Sequence, residues 1–194
     1  VPPVNNRQFT VRKARMADIP ALLELINGFA ANGIMLPRTE FDLSEGIRDF
    51  TVVLDGEHII GCAALHFYGP TVAEVRSLAV DKAYQGTGAG RLLMEAIEAE
   101  AREFDLATLF AFTYVPGFFA KMGYPEVDRS ELPLKAWKDC LRCPKFQACD
   151  EIAVLKRLRP EPPRPAPTLP IFQPNTTPAA NFAEVVLPRM QNPQ

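Results

Sequence analysis

The residues Gln85-Gly86-Thr87-Gly88-Ala89-Gly90 place three glycines at alternate positions. Glycine lets the chain bend too tightly for side chains and lets successive backbone N–H groups turn inward, which makes a nest for an anion. Directly afterwards, Arg91 to Glu103 carries Leu92, Leu93, Ala96, Ile97 and Ala101 at helical spacing. The turn therefore opens a helix, and the positive end of that helix faces the same anion. The chemistry this predicts is phosphate or pyrophosphate binding. No Lys-Ser/Thr pair follows the glycines, so this is not a Walker loop, and the glycine spacing does not fit G-x-G-x-x-G. A glycine-rich connection without a ligand is the plain alternative.

Just upstream, Glu74 to Val80 reads as a strand in which Glu74, Arg76, Leu78 and Val80 share one face. A carboxylate beside a guanidinium is either a surface ion pair near a strand end or a base with its charge partner.

The elements that position these groups follow from local signals. Thr10 to Arg15 reads as a first strand. Asp18 caps a helix with Pro20 in its first turn and Leu22, Leu23, Ile26 and Phe29 facing inward. Gly33 ends that region, and an irregular connection carrying Arg38 leads to a short helix opened by the capping-box-like Asp42-Leu-Ser-Glu45. Thr51–Leu54 and His58–Phe67 flank Asp55-Gly56 and predict a hairpin. Strand, helix and strand then continue through Glu74–Val80, Arg91–Phe104 and Thr108–Thr113. The fold class is α/β (α+β), a mixed sheet flanked by helices.

The sequence has 194 residues, 47% hydrophobic, with a net charge of −2. That balance gives no basic field for nucleic acid. The first residues lack the apolar run of a signal peptide, and no stretch approaches the roughly 18 to 20 apolar residues of a membrane span. The expected location is the cytoplasm, with neither nucleic acid nor membrane as partner. Residues 1–159 read as one domain. Ten prolines fall in residues 160–194, which nearly excludes helix there and predicts an extended arm. Its apolar residues, Leu169, Ile171, Phe172 and Phe182 among them, suit docking on its own domain or on a neighbouring subunit of a homodimer. Cys62 sits alone in an apolar strand, while Cys140, Cys143 and Cys149 form a cluster lacking a fourth ligand, for which only His58, His66, Cys62 or Asp150 is available. Free thiols and no metal are expected.

Gln85-x-x-Gly88-x-Gly90, preceded by Glu74-Val-Arg-Ser-Leu-Ala-Val80, resembles motif A of the GNAT superfamily of acetyl-CoA-dependent N-acetyltransferases. Pro116-Gly-Phe-Phe-Ala-Lys-Met-Gly-Tyr124 is similar to the family's F-Y-x-x-x-G-F segment, and the resemblance runs over roughly residues 9 to 158. It implies that Gln85, Gly86, Thr87, Gly88, Ala89, Gly90 and Arg91 hold the pyrophosphate of acetyl-CoA, and that Leu78, Ala79 and Val80 line its pantetheine arm. It also implies Glu74 as the base. The family's tyrosine is replaced by Phe119, so the proton for the thiolate comes from Thr113, from Tyr114 or from water.

Gly33-Ile-Met-Leu-Pro-Arg38-Thr39 is similar to a segment of the amino-acid N-acetyltransferases that make N-acetylglutamate, and Leu132 to Asp150 resembles their short stand-alone versions, without the amino-acid kinase domain of longer synthases. The implied acceptor is the α-amine of L-glutamate, in arginine biosynthesis. Its two carboxylates call for clustered cations, with Arg38, Arg76 and Lys145 as candidates. The alternatives are another amine, such as a different amino acid, a polyamine or a protein terminus, and a non-catalytic acetyl-CoA sensor.

Overall fold

The computed structural model describes residues 8–132, 141, 143 and 145–160. Cys140 and, but for Pro160, the expected proline-rich arm lie outside the described residues. Six strands form one sheet in sequence order: β1 (Phe9–Lys13), β2 (Phe50–Asp55), β3 (His58–Phe67), β4 (Val72–Val80), β5 (Thr108–Thr113) and β6 (Ile152–Arg157). All neighbours are antiparallel except β4 and β5. Among the described residues, four α-helices accompany them: α1 (Ile19–Ala30), α2 (Glu40–Gly46), α3 (Ala89–Glu103) and α4 (Pro116–Lys121). This is the mixed, mostly antiparallel α/β architecture read from the sequence, and no described helix is long and apolar enough to cross a membrane.

The sheet is covered on both faces, which explains why β2 and β3 read as near-continuous apolar runs rather than alternating ones. On one face Leu93, Met94 and Ile97 of α3 pack with Val53, Ala63, Leu65 and Val75. On the other, Leu22 and Ile26 of α1 and Leu43 of α2 pack with Val52, Cys62, Ala64 and Ala79. Full burial of each large aliphatic side chain contributes about 1.5–3 kcal/mol. A third cluster, Tyr68, Phe110, Leu132, Ala153 and Leu155, serves the β5–β6 half. A buried carboxylate ties that half to α3: Glu98 accepts from Lys156 of β6 at 2.6 Å and from Arg102 at 3.0 Å, and Lys156 also donates to Met122 O at 2.9 Å.

The Asp55-Gly56 hairpin forms, with Gly56 at φ +61° and Asp55 paired with His58. Two local expectations are corrected. Asp18 precedes α1 but makes no side-chain cap; its carboxylate is taken by Arg12 at 2.6 and 2.9 Å and by Arg15 N–H at 2.7 Å. A bidentate guanidinium outcompetes the helix end for those oxygens. The capping box of α2 starts three residues earlier than Asp42, with Thr39 accepting from Asp42 N–H at 3.1 Å and Asp42 accepting from Thr39 N–H at 2.9 Å.

Gly61 marks the tightest approach in the sheet. A Cβ there would stand 2.9 Å from Ala79 O, 2.9 Å from Val53 Cγ1 and 3.3 Å from Leu93 Cδ1. Because one of these atoms is backbone in the adjacent strand, it cannot simply rotate away. Gly61→Ala is therefore expected to lower stability by about 1–3 kcal/mol through overpacking, read as a lower denaturant midpoint at unchanged slope. An unaltered midpoint contradicts this packing.

Candidate active site

Strands β4 and β5 share only three rungs, Val72 with Thr108, Ala73 with Leu109 and Glu74 with Phe110. Beyond Glu74 the two strands part, and the C-terminal half of β4 becomes an internal edge, able to pair with an extended peptide-like ligand. Glu74 stands at the fork.

One extra residue lies in β4 past the fork: Cys62 pairs with Ala79, but Ala64 pairs with Arg76. The bulge centres on Ser77, at φ +52°, and Cys62 Sγ approaches Ser77 O at 3.5 Å. Such a conformation costs a non-glycine residue about 1–3 kcal/mol and persists only where the surroundings impose it. It corrects the expected shared face. Leu78 and Val80 join Ala73 and Val75 on the α3 side, whereas Ala79 packs with α1. Glu74 and Arg76 thus project to the opposite side from Leu78 and Val80.

The glycine-rich turn follows β4. Gly86 and Gly88 have φ +78° and +98°, conformations that L side chains rarely adopt, and Gly88 occupies the cap position of α3. The first bond into the helix is Leu92 N–H to Gly88 O at 3.1 Å, so the N–H groups of Ala89, Gly90 and Arg91 point out of the helix end. Thr87 is spent on the turn, its hydroxyl donating to Tyr84 O at 2.6 Å, and the Gln85 amide donates to Val80 O at 3.2 Å. The oriented backbone, more than side chains, forms this anion site.

A cavity of about 350 Å³ opens at the fork. It is lined by Arg38, Glu74, Arg76, Thr113, Tyr114 and Lys145, six positions singled out from the sequence, and Leu78 reaches it from β4. Arg38 arrives on the loop after α1. That loop is clamped by Asn27, whose amide donates to Arg38 O and accepts from Arg38 N–H, both at 2.9 Å. Glu74 is only 8% exposed. Burial raises its carboxyl above the usual range, opposed by Arg76, then Tyr68, His66 and Arg38. The Arg76 guanidinium is 3.3 Å away, but Glu74 Oε2 receives no well-aligned hydrogen bond. Desolvation outweighs the partial ion pair, which leaves a carboxylate with above-ordinary basicity.

At the other side, the Tyr114 hydroxyl donates to Asp150 at 2.7 Å and lies 3.0 Å from Lys145 Nζ. Burial is the main cause of a raised Tyr114 hydroxyl. Thr113 Oγ1 accepts from Val115 N–H at 2.9 Å. Phe119, 3% exposed, lines the cavity and packs edge-on against Tyr124 with centroids 5.6 Å apart.

Residues 22–124 match the Acetyltransferase (GNAT) family. The chain belongs to the GNAT acetyltransferase family. It is 45% identical over 148 residues to an uncharacterized N-acetyltransferase of Chlorobaculum tepidum, covering 76% of this chain and 96% of that one. It is 30% identical to the amino-acid acetyltransferase of Mycobacterium tuberculosis, covering 68% of this chain and 77% of that protein. N-acetylglutamate synthase from Neisseria gonorrhoeae, solved with coenzyme A and N-acetyl-glutamate, superimposes with a TM-score of 0.72 at 28% identity over 80% of this chain. This chain covers 36% of that synthase. As a GNAT acetyltransferase, the protein is an acyltransferase with acetyl-CoA as cosubstrate.

The GNAT cavity also holds residues that the sequence did not single out for it. Arg129 enters from the turn before Leu132 and donates to the backbone carbonyls of Cys149, at 3.2 Å, and Glu151. Glu151, raised chiefly by burial, and the thiols of Cys143 and Cys149 complete the wall. Asp150-Glu151 ahead of an apolar strand was the available signal for the acid; nothing local marked Arg129 or the Asn27 clamp.

The raised carboxyl of Glu74 fixes a sign. Its folded pKa exceeds the unfolded one, so its contribution to stability is present below the unfolded pKa of about 4.3 and is lost as pH rises through the folded value. Glu74→Gln is expected to remove that downward slope from the unfolding free energy measured between pH 4 and 8. An identical slope in the variant rules out the buried, raised carboxyl.

Proposed function

We propose that this protein transfers the acetyl group of acetyl-CoA to the α-amine of an amino acid, and that the acceptor is L-glutamate. The observation that carries the reading is the meeting of Glu74, Arg38 and Arg76 in one cavity that Leu78 of the cosubstrate strand also reaches. Glu74, directly or through water, takes a proton from the ammonium. The neutral nitrogen then attacks the thioester carbonyl, a C–N bond forms, the C–S bond breaks, and the second N–H proton passes to the departing thiolate through a hydroxyl or water that is left unchanged. Arg38 and Arg76 bind the two carboxylates of glutamate, and Lys145 adds positive potential from the β5 side. The product, N-acetylglutamate, belongs to arginine biosynthesis, a cytoplasmic role, and the reading includes a homodimer or the protein's own domain as the docking partner of the proline-rich segment.

Of the two hydroxyls, Thr113 is the better proton donor to sulfur. It uses an acceptor site on Val115 N–H and retains its own proton, whereas the proton of Tyr114 is directed to Asp150. Glu151 supports a second reading, in which the acceptor's side chain ends in an amide or a cation rather than a carboxylate.

Thiol release with acetyl-CoA and a panel of amino acids and amines tests both. Glutamate-dependent turnover is expected, with an acid limb of kcat/KM above the ordinary carboxylate range because of Glu74. Arg38→Ala should raise KM for glutamate by about 10–100-fold while leaving KM for acetyl-CoA in place. Glu74→Gln should reduce kcat by about 100-fold or more. Turnover with other amines but none with glutamate replaces the acceptor, and tight acetyl-CoA binding without any turnover leaves a sensor.

A further inference from the structure

A base that is buried in a cavity wall has to lose the proton it gains, once per turnover. Glu74 faces this problem acutely, because the acceptor fills the cavity side and its side chain is 10% exposed. The opposite side of the carboxyl is not apolar. His66 of β3 pairs directly with Glu74 in the antiparallel ladder. Directly opposed residues project from the same face of a sheet with Cβ atoms about 4.5–5.5 Å apart, so imidazole and carboxyl are neighbours.

His66 Nδ1 lies 2.9 Å from Asp49 Oδ2. A carboxylate oxygen accepts there, so Nδ1 is the donor, and in the neutral ring Nε2 is then the nitrogen with the lone pair. Tyr68 packs edge-on against the ring, with centroids 5.2 Å apart, and restricts its rotation. The His66 and Asp49 side chains are 27% and 29% exposed, so access to water increases outward from Glu74 along this row.

We infer that His66, oriented by Asp49, is the proton exit for Glu74. The inference rests on Glu74 acting as the base. The proton taken from the acceptor ammonium moves from the Glu74 carboxyl to His66 Nε2, and Glu74 returns to the carboxylate. The imidazolium then releases the Nε2 proton to water, which restores the Nδ1–H tautomer paired with Asp49. Only N–H and O–H bonds are exchanged. The proton delivered to solvent is the one that amide formation from an ammonium and a thioester must release. Glu74 is also faced by Arg76 from its own strand, by Tyr68 after β3 and by Arg38 from the loop after α1, while Phe110 opposite it on β5 is apolar. Of these neighbours, His66 alone has a ring nitrogen with a lone pair that can take up a proton.

The test is thiol release in weak buffer by His66→Gln and Asp49→Asn, with and without added imidazole, beside Glu74→Gln. His66→Gln is expected to lower kcat about tenfold, a fraction of a full acid–base contribution. The KM values for acceptor and acetyl-CoA should stay within about twofold, and imidazole should restore most of kcat. Asp49→Asn, which retains the ring, should lose less. Loss in His66→Gln without rescue by imidazole, or wild-type turnover in both variants, overturns the proton exit. If His66→Gln does not fold, Asp49→Asn with a native thermal midpoint decides: reduced kcat at unchanged KM supports the exit, and wild-type kcat ends it. Full turnover by Glu74→Gln removes the base and the exit together, whereas a defective Glu74→Gln beside an active His66→Gln removes the exit alone.

Discussion

Strands β4 and β5 run parallel for three rungs and then separate, and the positions of the candidate groups depend on that separation. An internal edge inside a sheet is costly, since backbone N–H and C=O groups that would have paired lose a partner worth about 1 kcal/mol each. The structure offsets this with antiparallel pairing on the outer sides: β4 with β3 over most of its length, and β5 with β6 along all six residues. The cluster under α3 runs across both halves, from Val75 through Leu109 and Ala111 to Val154, while α1 backs one half and the cluster around Phe110 and Leu155 the other. The Lys156–Glu98 pair then joins α3 to β6, so the halves are held while the gap between them stays open. The Ser77 bulge acts on the same edge. By inserting one residue it aims Glu74 and Arg76 to one face and Leu78 to the other, so base and cosubstrate strand serve one cavity from different faces.

Much of this is legible in the sequence wherever a local rule governs. The glycines at 86 and 88 announce positive φ, the apolar spacing of Arg91–Glu103 announces the helix behind them, and Asp55-Gly56 announces a hairpin; the structure has all three. Legibility fails where tertiary contacts override local chemistry. Strand alternation put Glu74 and Leu78 on one face, and a single inserted residue reversed the second half. Asp18 looks like a helix cap, but Arg12, six residues earlier, holds its carboxylate. The loop bearing Arg38 is shaped by Asn27 acting as a surrogate strand, and Arg129 reaches the cavity only because β6 brings Cys149 and Glu151 alongside it. These depend on which elements become neighbours, information that no window of residues contains.

Asp18 and Glu74 show how one fold sets two buried carboxylates to opposite purposes. Asp18 receives both guanidinium nitrogens of Arg12 and a backbone N–H, and the Arg12 hydrogen bond is the largest influence, holding its carboxyl below the usual range. Its negative charge is fully compensated, so it remains ionised and tethers β1 to the start of α1. Glu74 also has an arginine nearby, but at 3.3 Å, without a well-aligned bond to Oε2, and here desolvation is the largest influence. The difference is geometric. Arg12 meets Asp18 end-on with two N–H groups, the arrangement that best repays desolvation. Arg76 sits two residues from Glu74 on the same strand, with Nε 3.3 Å from Oε2. A carboxylate held as firmly as Asp18 would make a poor base, because its charge would already be satisfied. At Glu74 burial raises the carboxyl above its ordinary range, and the Arg76 guanidinium opposes that rise without reversing it. That intermediate setting follows from placing the two residues on one side of a strand immediately before a bulge, and it links the backbone irregularity at Ser77 to the proton chemistry of the cavity.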